Sequence, residues 1–268
     1  MSSNPREPTQ QQYPSFKNLV FPLLDIFALT MWGILMLKYW LTGKLYLLIH
    51  PNYFALVVIT GFALLIFAAW RARELSIQLR KIKSGKISPQ PVVQHLTLFP
   101  PGWGSSLLLT VAILGLLITP KVFASQTAIE RGLTEAAISS RLQPQAFGSV
   151  SDPSERSLIE WVRTLYVYPE PDAYTGQKVK VQGFVVYPPK LSDQYLLISR
   201  FIITCCAADA YPVGLPVKLT ENRDVYPQDT WLEVEGQMIT ETLDGKRQLT
   251  IEANSLKEIP KPKNPYHY

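Results

Sequence analysis

Before about residue 120 the apolar positions form long unbroken runs; after it they recur every third or fourth residue, then every second. Leu19–Leu37 contains one charged residue, Asp25; Tyr53–Trp70 and Trp103–Thr119 contain none, and Pro120 follows the last run. A helix crossing a bilayer needs about 20 mostly apolar residues, with about 17 at the short limit. The runs predict a membrane domain over 19–123 with three transmembrane helices, about 19–40, 51–70 and 103–120. The third is short. Its other reading, a buried core helix, would leave a membrane hairpin beside an apolar helix with no partner.

Past the membrane domain, 124–150 reads as a stalk and 151–268 as a separate β-domain. The domain opens with "SDPSERSLIEWVRTLYVYPEP". Ser151 or Asp152 can cap a helix, Pro153 suits its first turn, and Leu158, Ile159, Trp161, Val162 and Leu165 recur at helical spacing. This predicts one flanking helix ending near Tyr166. The period then changes to two. "QKVKVQGFVVYP", "QYLLISRFIITCC", "GLPVKLT", "TWLEVEGQMITET" and "KRQLTIEANSLKEI" predict five strands, the last two joined by a hairpin at Asp244-Gly245. Gly183 and Gly236 fall in mid-strand, where glycine marks bends or bulges. The expected fold is a small all-β, OB-like five-stranded barrel, with a small β-sandwich as the alternative.

Charge adds an orientation. Residues 1–120 carry ten Lys/Arg against three Asp/Glu, whereas 121–268 carry sixteen against eighteen. The basic residues concentrate in 71–102, where Arg71, Arg73, Arg80, Lys81, Lys83 and Lys86 face only Glu74. Short loops rich in Lys/Arg stay cytoplasmic. The N-terminus and this basic loop are therefore expected inside a plasma (inner) membrane, and the C-terminal domain outside the cytoplasm. Trp32, Trp40, Tyr46, Tyr53, Trp70 and Trp103 sit at or near the run ends, as interfacial rings do. The polar leader 1–18 reads as a disordered tail, and no small-x-small site follows the first run, so that run is expected to stay as an anchor. Asp25 is a charge inside a span, which costs at least about 2.5–3.5 kcal/mol near the centre. It faces another helix or a polar cavity, or is protonated, or lies near enough to the helix start to reach the headgroups.

Candidate chemistry gathers in "FIITCCAADAYP", which holds both cysteines, Cys205 and Cys206. Neighbouring side chains on a strand point to opposite faces, so the pair can serve one site only if the chain turns there. A helical turn over Ala207–Asp209 would bring Asp209 onto the face of Cys205. The pair reads as buried packing, a vicinal disulfide, metal or ligand contact together with Asp209, or a redox couple. Arg200 and Asp209 bring opposite charges near the thiols, so Arg200, Cys205, Cys206 and Asp209 form the candidate site. Of three histidines, His95 falls in the basic loop and His50 at the membrane surface, leaving His267 as the one expected to reach. A complete four-ligand metal site is not expected. There is no nucleotide-binding, metalloprotease or nucleophile-elbow motif, and no catalytic residue or cofactor is assigned. A soluble half, residues 121–268, of net charge −2 argues against nucleic acid.

The blocks "LTGKLYLLIHPNY", "IEWVRTLYVYPEPDAYTGQKVKVQGFVVYP", "ISRFIITCCAADAYPVGLPV" and "PKPKNPYHY" resemble the YcgQ-like family, and "WLTGKLYLLIHPNYF" looks most like its cyanobacterial members. Members of that family are described as permease subunits encoded beside a larger multispanning permease. The resemblance implies an integral membrane accessory subunit, not an enzyme, whose outer domain binds or gates solute for that partner. It names no solute. The alternative is a tethered extracytoplasmic metal-binding or thiol-redox protein acting without a transporter.

Overall fold

The computed structural model describes residues 16–84, 102–133 and 152–268. The chain divides into two units: a helical one, residues 1–45 and 52–119, and a β unit, residues 46–51 and 120–268.

The helical unit holds α1 (Phe16–Leu41), α2 (Phe54–Lys83) and α3 (Trp103–Leu117). Two segments, Leu19–Leu41 and Pro51–Lys83, are long and apolar enough to cross a membrane. Only 17% and 11% of their most apolar windows are buried. The third helix is shorter than expected. Its 15 residues span about 22 Å, against a hydrocarbon core of about 30 Å. It stops because Pro120 follows and Ile118 has already turned to extended backbone. The region read as a basic loop also differs: residues up to Lys83 continue α2, Ser84 ends it, and 85–101, His95 included, lie outside the described residues.

Small residues let these helices approach. A Cβ on Gly33 would lie 2.8 Å from the Leu65 side chain, and one on Gly115 would lie 2.9 Å from that of Leu35. Polar contacts run from α1 to α3: Trp32 Nε1 donates to the Leu108 carbonyl at 3.0 Å, and Lys38 Nζ to that of Leu116 at 2.8 Å.

The β unit contains α4 (Ser125–Glu130), α5 (Leu158–Val167) and six strands: β1 (Lys178–Val186), β2 (Tyr195–Ile202), β3 (Tyr211–Lys218), β4 (Trp231–Leu243), β5 (Lys246–Glu258) and β6 (Tyr266–His267). They form one mixed sheet in the order β1-β4-β5-β3-β2-β6, and β1 also pairs β2. The five expected strands are present. The sixth, two residues long, adds parallel to β2 and was not anticipated, because two residues carry no periodicity. Asp244 and Gly245 both have positive φ, 49° and 72°, as a type I′ hairpin demands.

Two glycines shape the sheet. Gly236 sits at a register shift in the β4–β5 ladder, where a Cβ would lie 2.0 Å from the Glu252 carbonyl oxygen. Gly183 stands where β1 begins to pair with β2, and its Cβ would lie 2.5 Å from the Ser199 carbonyl oxygen. β3 meets β5 only through Val217 and Lys218, so Pro212 and Pro216 interrupt no second ladder.

Two buried clusters hold the unit together. In the first, α5 lays Leu158, Ile159, Trp161, Val162 and Leu165 against sheet residues including Val181, Ile198, Val217 and Ile251. The helix begins later than expected. Asp152 caps a separate 3-10 turn, and Ser157 caps α5 in a reciprocal box with Glu160. In the second cluster Phe184, Phe201, Trp231 and Tyr266 pack with Leu47, Ala128 and Leu133. Residues 120–133, which include the start of the expected stalk 124–150, therefore pack with the β unit. The rest of the expected stalk, with Ser151, lies outside the described residues.

Candidate functional site

The two cysteines lie just past the end of β2. The β-branched run reaches Thr204 and stops, and β3 restarts at Tyr211. Between them the chain makes a turn organised by one carboxylate. Asp209 Oδ2 accepts from the Cys205 backbone N–H at 2.8 Å and from the Thr204 hydroxyl, and Oδ1 accepts from the Cys206 N–H at 3.3 Å. A short acidic side chain bonding nearby backbone N–H groups is a recognised turn device. The Asp209 N–H closes the turn on the Cys206 carbonyl at 3.0 Å. The expected helical turn is replaced by this bent one, and it brings Asp209 to both thiols.

The ligand atoms of Cys205, Cys206 and Asp209 all lie within 4.8 Å of one another. The thiols are free, with Sγ–Sγ 3.6 Å. Cys205 is exposed and Cys206 half-buried, so the core does not enclose them. The Cys205 thiol is pushed up to about 11, first because its S–H donates a hydrogen bond to the Asp209 carboxylate and next because it donates to the Cys206 sulfur. Partial burial pulls the Asp209 carboxyl upward, but hydrogen bonds from Thr204, Cys205 and Cys206 outweigh it and hold it below its usual range.

Two groups far away in sequence frame the turn. Arg131, just past α4, donates from Nη1 to the Ala210 carbonyl at 2.5 Å and the Ala207 carbonyl at 3.3 Å, and its guanidinium lies 4.6 Å from the Phe123 ring. Residues 48–50 run antiparallel to the turn. Ile49 faces Cys206, the His50 N–H donates to the Cys205 carbonyl at 3.0 Å, and the Ala207 N–H donates to the Leu48 carbonyl at 2.8 Å. His50 rests edge-on against Tyr268, ring centroids 5.1 Å apart. Tyr268 in turn donates to the Tyr46 carbonyl at 2.7 Å. The sequence reading did not include Arg131, and it placed His50 at a membrane surface. Neither had a local signal, since each comes to the turn through tertiary contacts.

The other expected residues lie elsewhere. Arg200, on β2, holds its guanidinium 5.5 Å from the Trp231 ring and donates to the Asn264 carbonyl at 3.4 Å. Burial lowers its pKa. Among the described residues no hydrogen bond or ion pair joins it to the thiols or Asp209. His267, on β6, meets the turn through its backbone, accepting from the Ile203 N–H at 2.9 Å. Burial is the main cause that lowers the pKa of its ring, and its electrostatic neighbours are Arg163, Arg200 and Glu160. In the helical unit Asp25 accepts a hydrogen bond from the Ser105 hydroxyl of α3.

The fold and turn define a chain with two membrane-length apolar helices and a β unit that displays two thiols and a carboxylate together. Residues 154–268 match the family model described as DUF1980 C-terminal domain. The chain is 25% identical over 131 residues to the UPF0703 protein YcgQ of Bacillus subtilis (strain 168). That match takes in 46% of this chain and 45% of the relative, so the chain spans under half the length of the curated relative it matches. Both findings support the YcgQ-like family as the setting of the β unit. No solved structure matches.

Proposed function

We propose that this protein is an integral membrane accessory subunit whose β unit binds or gates a solute for a multispanning permease. One observation carries the reading. The apolar helices keep most of their surface uncovered, including Leu56, Ile59 and Ile66 at 63%, 67% and 70% exposure. Such a surface needs lipid or partner helices to cover it. In this proposal α3, though short, is a third span, the N-terminus is cytoplasmic and the β unit extracytoplasmic. The basic stretch from Arg71 to Lys86 supports that orientation. The sheet pairings pass from β1 through β4, β5, β3 and β2 back to β1. We read that circuit as an OB-like five-stranded barrel with β6 added at β2.

Affinity purification of the full chain in mild detergent, with mass spectrometry, tests the partner. A stoichiometric multispanning protein is expected; recovery of this chain alone would overturn the permease reading. Orientation is tested separately in a cysteine-free variant. A single cysteine at Asp244 should react with an impermeant thiol reagent in intact cells, and one at Gln78 should not.

The second reading, a tethered metal-binding or thiol-redox protein working alone, draws on the convergence of Cys205, Cys206 and Asp209. It expects a bound ion or a reversible thiol couple in the isolated chain and no stoichiometric partner.

A further inference from the structure

The turn presents half-formed coordination geometry. Two thiolates on one tetrahedral zinc ion, each bonded at about 2.3 Å, lie about 3.8 Å apart. The thiols of Cys205 and Cys206 already stand 3.6 Å apart. Asp209 adds an oxygen within 4.8 Å of both. Its Oδ2 accepts from the Thr204 hydroxyl and the Cys205 N–H, while Oδ1 accepts the longer 3.3 Å bond from the Cys206 N–H and faces the thiols less encumbered. A structural zinc site needs one more donor.

The ring nitrogens of His50 are not among the atoms that already converge, but the short antiparallel pairing brings that residue beside the turn, where a change of rotamer would add the donor. With Ile49 opposite Cys206 and bonds on either side, His50 falls opposite Cys205. Directly opposed residues of such a pair have Cβ atoms about 4.5–5.5 Å apart on one face. His50 is half-buried, its backbone tied to the Cys205 carbonyl and its ring steadied by Tyr268. We infer that the β unit holds one thiophilic dication of the zinc type, ligated by Cys205, Cys206, Asp209 and His50. Two thiolates and a carboxylate around a dication leave one negative charge, and the Arg131 guanidinium bonded to the Ala207 and Ala210 carbonyls stands beside it. The assignment deepens the reading of the β unit as a ligand-binding domain, and it does not depend on a permease partner.

The test uses the full chain, metal-free and reduced, in detergent micelles. Titrated Co2+ should give the thiolate charge-transfer bands and visible absorption of a tetrahedral site, saturating at one ion per chain, with Zn2+ displacing it. Zn2+ should protect Cys205 from alkylation in the unaltered protein, a readout that needs no variant. His50→Gln should weaken binding by about tenfold or more and change the visible band shape, while His267→Gln leaves both unchanged. Cys205→Ser/Cys206→Ser should abolish the charge-transfer bands. Absent bands and absent protection would overturn the metal site. Bands and affinity unmoved by His50→Gln would overturn the fourth ligand. Partner copurification is a separate result: its failure removes the permease reading and leaves this site standing.

Discussion

Leu56, Ile59 and Ile66 on α2 are 63–70% exposed, whereas Val181, Ile198, Val217 and Ile251 in the β unit are at most 2% exposed. The same residue types meet opposite fates in one chain. A helix apolar on every side cannot bury itself against two neighbours, so its outer faces call for a nonaqueous solvent. Strands that alternate, as β1 does from Lys178 to Gln182, bury one face and wet the other. Glycine divides along the same line. Gly33 and Gly115 let helices touch, while Gly183 and Gly236 let strands bend past backbone carbonyls.

Cutting the chain within the β unit tests this contrast most severely. A fragment of residues 120–268 keeps Ala128 and Leu133 against Phe184, Phe201, Trp231 and Tyr266; one of 152–268 loses that cover. The longer fragment should melt cooperatively. The shorter should lose about 3 kcal/mol or more, the scale of one large core truncation, and bind a hydrophobic dye. Equal stability in denaturant titrations would restore residues 120–133 to a mere stalk.

Gly236→Val should come next. Its Cβ would meet the Glu252 carbonyl at 2.0 Å, and backbone cannot step aside as a side-chain tip can. We expect a loss at the upper end of about 1–3 kcal/mol, seen as a lower melting temperature. Gly33→Val is the helical counterpart. It should lower thermal stability in detergent by a smaller part of that range, because its closest contact is the Leu65 side chain and the nearest backbone atom, the Gly61 carbonyl oxygen, is 3.0 Å away rather than 2.0 Å, and it should leave the β signal in circular dichroism unchanged. Matching effects on both units would erase the distinction.

Ser157→Ala removes one half of the capping box on α5 and should cost about 1 kcal/mol in chemical denaturation. Smallest for the fold, yet informative for the site, is the alkylation rate of Cys205. A thiol raised from 9.0 to about 11 is mostly protonated near neutrality, and only the thiolate reacts. The rate should climb with pH until about 11, and Asp209→Asn should move the climb to lower pH by removing the acceptor that holds the proton. A Cys205 profile like that of a free thiol would mean that Asp209 orders the backbone without touching the sulfur.

The sequence by itself determined the two regimes and most of the elements. Unbroken apolarity specified α1 and α2, alternation specified five strands, and Asp244-Gly245 specified a hairpin, because each is a local pattern of period or turn chemistry. The nearness of Cys205, Cys206 and Asp209 was also legible, since they share one short turn. Tertiary structure decided the rest. It moved Arg200 away to Trp231, folded 120–133 into the β core, and carried Leu48–His50 from between two apolar helices to the rim of the thiol turn. Those outcomes depend on backbone pairing and packing between segments far apart in the chain. A run of leucines, one histidine and a turn carry no local mark of the partner they will meet.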